Sequence, residues 1–72
     1  MVVFASVRPA PFLKARVEKA CEEAGVEFDA LAEHLGKSRS WLSRQLSREH
    51  VDGEMLREIA EFLGFDVERF LT

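Results

Sequence analysis

The chain has 72 residues and a mass of 8.2 kDa, which is room for one domain and no second core. Hydrophobic residues make up 47% of it, with six Phe and one Trp, so it collapses rather than staying a disordered tail, and its small core favours association with a second copy. The single cysteine, Cys21, excludes an internal disulfide; with only two distant histidines it also excludes a four-ligand zinc site. That usage fits a reducing, cytoplasmic setting. No apolar run approaches the length of about 20 residues that spans a bilayer. The apolar start, Met1 to Val7, lacks a preceding basic residue and does not read as a signal peptide.

Net charge is −3 with a pI near 5.3, which by itself argues against a nucleic-acid partner. The distribution argues for one. Residues 37–48, KSRSWLSRQLSR, carry Lys37, Arg39, Arg44 and Arg48 and no acid, a local charge of +4 against −7 for the rest of the chain. A basic window on an acidic body is a directional field that favours one orientation towards a polyanion.

In chain order, residues 1–11 stand apart as an arm. Val2, Val3, Phe4 and Val7 prefer extended backbone, and Pro9 and Pro11 close the segment. The arm is expected to be extended or disordered, either a loose terminus or a strand that packs on a partner chain. Residues 12–72 form the domain. A first helix is expected from about Phe12 to Ala24, with Pro11 suited to its first turn and Gly25 as its stop. Its apolar positions Leu13, Val17, Ala20, Cys21 and Ala24 fall on one face. A short second helix spans about 27–35, with Phe28, Leu31, Ala32 and Leu35 on one face and Gly36 ending it. A third follows from Ser38 as N-cap to about Ser47, with only Leu42 and Leu46 apolar on its buried side. A fourth runs from about Gly53 or Glu54 to Leu63, with Met55, Leu56, Ile59, Ala60, Phe62 and Leu63 inward and Gly64 as C-cap. A last turn, Asp66 to Leu71, carries Val67, Phe70 and Leu71. The expected class is all-α, a compact bundle of four to five short helices.

The third helix carries the chemistry. At 100° per residue, Arg44, Ser40 and Ser47 lie opposite Leu42 and Leu46, with Arg48 and Trp41 flanking and Arg39 at the N-terminal end. This outward face contains no carboxylate, whereas the fourth helix mixes signs with Glu54, Arg57, Glu58 and Glu61. Serine is a mediocre helix former, so its repetition here is not for propensity. Arg and Ser both donate to phosphates, and Arg grips guanine with two hydrogen bonds. A helix of this kind fits the major groove.

From about Cys21 to Leu71 the chain resembles the Cro/repressor, or XRE-type, helix-turn-helix family. The resemblance rests on Glu23-Ala24-Gly25-Val26, Leu31-Ala32-Glu33-His34-Leu35-Gly36-Lys37-Ser38-Arg39-Ser40, Leu42-Ser43-Arg44 and Ile59-Ala60-Glu61-Phe62-Leu63-Gly64. It implies a lambda-repressor-like fold and sequence-specific binding of duplex DNA to regulate transcription, usually as a homodimer. The base contacts it implies are Arg39, Ser40, Trp41 and Arg44. Those to the DNA backbone are Lys37, Ser38, Ser43, Ser47 and Arg48. Members often dimerise through the C-terminal region, which makes Phe65, Phe70 and Leu71, with Val3 and Phe4 of the arm, the candidate interface; the C-terminal rings have the alternative of closing the chain's own core.

The chain also departs from that pattern. Where a small cap and a phosphate-gripping Gln often begin the second helix, Glu27 and Phe28 stand here. The loop Arg48-Glu49-His50-Val51-Asp52 is nearly neutral, and Gln45 occupies a commonly apolar place. Fewer phosphate anchors predict weak non-specific affinity. Trp41 is left with three readings: a partly packed surface ring, an apolar contact to a thymine methyl, or a protein contact. Cys21 reads as a small core residue, and His34 and His50 as surface histidines. Nothing in the sequence resembles a nucleophile–base set, a phosphate loop or a metal site; no enzyme activity, cofactor, small-molecule ligand or membrane partner is expected. The rival function is a helix-turn-helix fold kept as a protein-interaction module, an antirepressor or adaptor with little DNA affinity.

Overall fold

The computed structural model describes residues 6–71. The chain order is a strand β1 (Ser6–Val7), helices α1 (Leu13–Ala24), α2 (Phe28–His34) and α3 (Arg39–Leu46), a strand β2 (Val51–Asp52), helix α4 (Gly53–Leu63) and a terminal 3-10 turn (Val67–Phe70). The four expected helices and the last turn all form, with ends shifted by a residue or two. Helix α1 starts one residue late because Phe12 takes a left-handed conformation, φ 59°, and serves as its N-cap without a side-chain hydrogen bond. The side chain of Phe12 is 84% exposed.

Each boundary has a local cause. Ser38 is extended, and its hydroxyl oxygen accepts the amide hydrogen of Trp41 at 3.1 Å, which caps α3. Asp52 caps α4 through the amide of Glu54, and Asp66 caps the terminal turn through the amide of Glu68. Between α2 and α3 the chain must reverse within four residues. Gly36 does this at φ 72°, where any side chain would be strained. The amides of Gly36 and Lys37 donate to the carbonyls of Glu33 and Ala32, closing the end of α2.

The core gathers one stripe from each helix: Leu13, Val17, Ala20 and Cys21 of α1, Leu31 and Ala32 of α2, Leu42 and Leu46 of α3, and Met55, Leu56, Ile59, Ala60 and Leu63 of α4. Phe70 closes it and is fully enclosed. Burial pushes the Cys21 thiol up from its ordinary range, helped by the nearby Glu18 carboxylate, so it stays protonated and inert. Arg69 ties the terminal turn to α1 by donating to Glu23 at 2.6 Å, and its guanidinium lies 4.3 Å from the ring centre of Phe65 in the link after α4.

Three expectations need correction. The later part of the arm is extended, as one alternative had it, but the strand it packs on belongs to its own chain. Ser6 and Val7 pair antiparallel with Asp52 and Val51, and the Ala10 amide donates to the Phe70 carbonyl at 2.9 Å. Ala10 is buried as a result. Val2, Val3 and Phe4, expected in the arm and at the dimer contact, lie outside the described residues. Phe62 does not point inward; it is 38% exposed and stacks on His34, with ring centres 4.0 Å apart. Phe70 has no surface for a second copy, because the chain's own helices enclose it, while Phe65 and Leu71 remain half-buried.

Candidate nucleic-acid interface

Helix α3 buries Leu42 and Leu46 and turns the rest of its surface outward. Lys37, Ser38, Arg39, Ser40, Arg44, Ser47 and Arg48 are all exposed, and Ser43 and Trp41 are half-buried. One continuous surface therefore carries every residue expected to touch bases or backbone, without a carboxylate from the helix itself. What distinguishes these residues is how each is held.

Arg44 lies in the middle of the face and makes no ion pair or side-chain hydrogen bond among the described residues. Arg39, at the first helical position, is held. Its Nη1 donates to Oδ1 of Asp29 on α2 at 3.3 Å, and its guanidinium lies 5.6 Å from the Phe28 ring centre. Sequence reasoning missed both partners, although Phe28 stood out as a departure. Arg48 is held loosely by Oε1 of Gln45 at 3.4 Å. This gives the polar Gln45 a function at a position that is otherwise suited to an apolar group. The Ser47 hydroxyl donates to the Ser43 carbonyl at 3.0 Å. Such back-bonding inside a helix's last turn leaves the oxygen lone pairs available but takes the proton.

Trp41 packs partly against the core, and the Lys37 ammonium sits 5.2 Å from its ring centre. The cation–π contact covers one face of the indole and keeps Lys37 on the α3 surface. Of the three readings for Trp41, packing against the body is therefore realised, with its remaining exposed part on the basic face.

The neighbouring loop is as neutral as its sequence implied. Arg8, on the stretch after β1, pairs with Glu49 at 3.5 Å across this loop, with both side chains largely in solvent. Exposed pairs of this kind contribute little to stability. Their effect here is to bring a cation from the N-terminal stretch beside Ser47 and Arg48. Arg8, Lys14, Ser47, Arg48 and Glu49 share the rim of a cavity of about 400 Å³ with Phe12. Neither Arg8 nor Lys14 is placed near the third helix by the sequence alone: the β1–β2 pairing brings Arg8 there, and the packing of α1 against α3 brings Lys14.

Among the described residues no group of His, Cys, Asp or Glu is arranged to hold a metal ion. No helix among the described residues is long and apolar enough to cross a membrane.

A family model described as a helix-turn-helix domain matches residues 13–70, from the first residue of α1 to the last of the terminal turn. No curated protein and no solved structure matched the chain. The match covers most of the chain, and α2, the Gly36 turn and α3 supply the motif itself: the chain belongs to the helix-turn-helix domain family, a DNA-binding family.

Proposed function

We propose that the protein is a sequence-specific, double-stranded DNA-binding transcriptional regulator of the repressor or Cro-like kind, acting in the cytoplasm of a bacterium or of a phage-infected cell. Helix α3 enters the major groove. Arg44, Arg39, Ser40 and Trp41 address base edges, and Lys37, Ser38, Ser43, Arg48 and Ser47 address the backbone, Ser47 by turning its proton from the Ser43 carbonyl to a phosphate. The observation that carries this reading is the acid-free outer face of α3 with Arg44 unpaired at its middle. An exposed Arg with no partner among the described residues keeps its full hydrogen-bonding fork for a ligand. The protein acts as a homodimer, which places two recognition helices about 34 Å apart on a near-palindromic operator. Phe65 and Leu71, with Val3 and Phe4, are the residues proposed for that contact.

Fluorescence anisotropy tests the reading. The labelled duplex carries the DNA upstream of the protein's own gene, a scrambled duplex is the control, and both are measured across a salt series. Tight binding to the first, weakening with salt, is expected. Flow-through on heparin resin together with no binding to either duplex would favour a protein-interaction module instead. Light scattering at high micromolar concentration checks the dimer, and a monomer there would contradict it.

A further inference from the structure

Arg39 is the first residue of α3, where the helix dipole disfavours a cation. Its guanidinium nonetheless contacts two residues of α2, the Asp29 carboxylate and the Phe28 ring. The ion pair has side-chain exposures of 64% and 59%, so solvent screens it and it adds little to folding. A carboxylate beside a surface meant for phosphates also opposes binding. Asp29 thus brings little to stability and works against general DNA affinity.

The geometry points to a different role: we propose that Asp29 and Phe28 are positioning residues that hold the Arg39 guanidinium in one orientation for two-bond recognition of a guanine, so that the first turn of α2 sets base specificity at that position. This rests on the DNA-binding reading above. An Arg side chain left free loses rotamer freedom when it docks on a base, and it swings as readily to a phosphate. Asp29 engages Nη1 and leaves other guanidinium donors of Arg39 for the O6 and N7 acceptors of guanine. Phe28 covers a face of the guanidinium by cation–π contact and restricts its tilt. Phe28 stands where the family's resemblance led one to expect a phosphate-gripping Gln. In this account the position has exchanged a phosphate contact for control of a base contact.

The test is selection of bound duplexes from a randomised pool, followed by sequencing, for the wild type and for Asp29→Asn, Asp29→Glu and Arg39→Ala. The wild type is expected to enrich a guanine at one position of each half-site. Arg39→Ala flattens that position. Asp29→Asn flattens the same position by about tenfold, in the range that a bidentate Arg–guanine pair supplies, and leaves the others intact; Asp29→Glu retains part of the preference. Anisotropy on a scrambled duplex separates charge from positioning: Asp29→Asn should bind it more tightly than wild type, since one repulsive carboxylate has gone. In the free protein, NMR relaxation of the Arg39 Nε–H group should show it restrained in the wild type and mobile in Asp29→Asn. Three outcomes overturn the proposal while leaving the DNA reading standing: a selected motif unchanged by Asp29→Asn, flattening at a position other than the one Arg39→Ala affects, or an equal loss at every position. A wild type that enriches no sequence overturns both.

Discussion

Helices α3 and α4 are neighbours in the chain, yet they dispose of their charges in opposite ways. On α4, Arg57 donates to Glu54 at 3.0 Å and lies 3.8 Å from Glu61, so the helix's one cation is paired with its own acids and the face keeps a net charge of −2. Its other side buries Met55, Leu56, Ile59, Ala60 and Leu63. On α3 only Leu42 and Leu46 are buried, and the outward cations have no acid on their own helix. A helix whose one cation is paired with its own acids offers no positive charge to a polyanion. One that leaves an Arg unpaired has charge to offer a partner. Packing and recognition are thus separated by helix.

That separation sets the order of expected effects. Leu56→Ala, at a fully buried α4 position, should destabilise the fold by about 2–5 kcal/mol; thermal or urea unfolding measures it, and DNA affinity should change only through the folded fraction. Arg44→Ala should leave the unfolding midpoint in place and cost about 1–3 kcal/mol on a specific duplex, with relaxed base preference at one position. An unchanged binding curve would remove Arg44 from the interface. Ser38→Ala removes the cap that accepts the Trp41 amide and should cost about 1 kcal/mol of stability, with some loss of binding because the first turn of α3 frays. The smallest effect concerns pH. The hydrogen bond from Arg69 holds the Glu23 carboxyl below its ordinary range. A carboxyl depressed on folding contributes stability above its unfolded pKa, and that contribution is lost as pH falls through the folded value. The melting temperature of the wild type should therefore fall more steeply than that of Glu23→Gln on acidification below about pH 4.

Most of this fold was legible because its signals are local. Ser38, Gly36, Gly25 and Gly64 mark the helix ends where they fall in the chain, and the apolar stripes of α1 and α4 repeat at helical spacing. The misreadings share one cause, contact between segments distant in sequence. A two-residue ladder between Ser6–Val7 and Val51–Asp52 is too short for an alternating pattern to betray it. Phe62 lies at the edge of the α4 stripe, and its ring stacks on His34 of α2, a partner that the α4 pattern alone does not reveal. At the site, the exposed basic face was readable from the α3 wheel alone. The difference between a free Arg44 and a held Arg39 was not, because Asp29 lies on another helix, ten residues away.

The comparison between the two helices can be tested directly by NMR. A ¹⁵N-labelled sample would be titrated with the best duplex obtained by selection, and the backbone amides followed. Shifts are expected to concentrate on residues 37–48 and the first turn of α2, with the outward residues of α4, Glu54, Arg57, Glu58 and Glu61, unchanged. Shifts centred on α4 and the His34–Phe62 stack, with α3 silent, would contradict it.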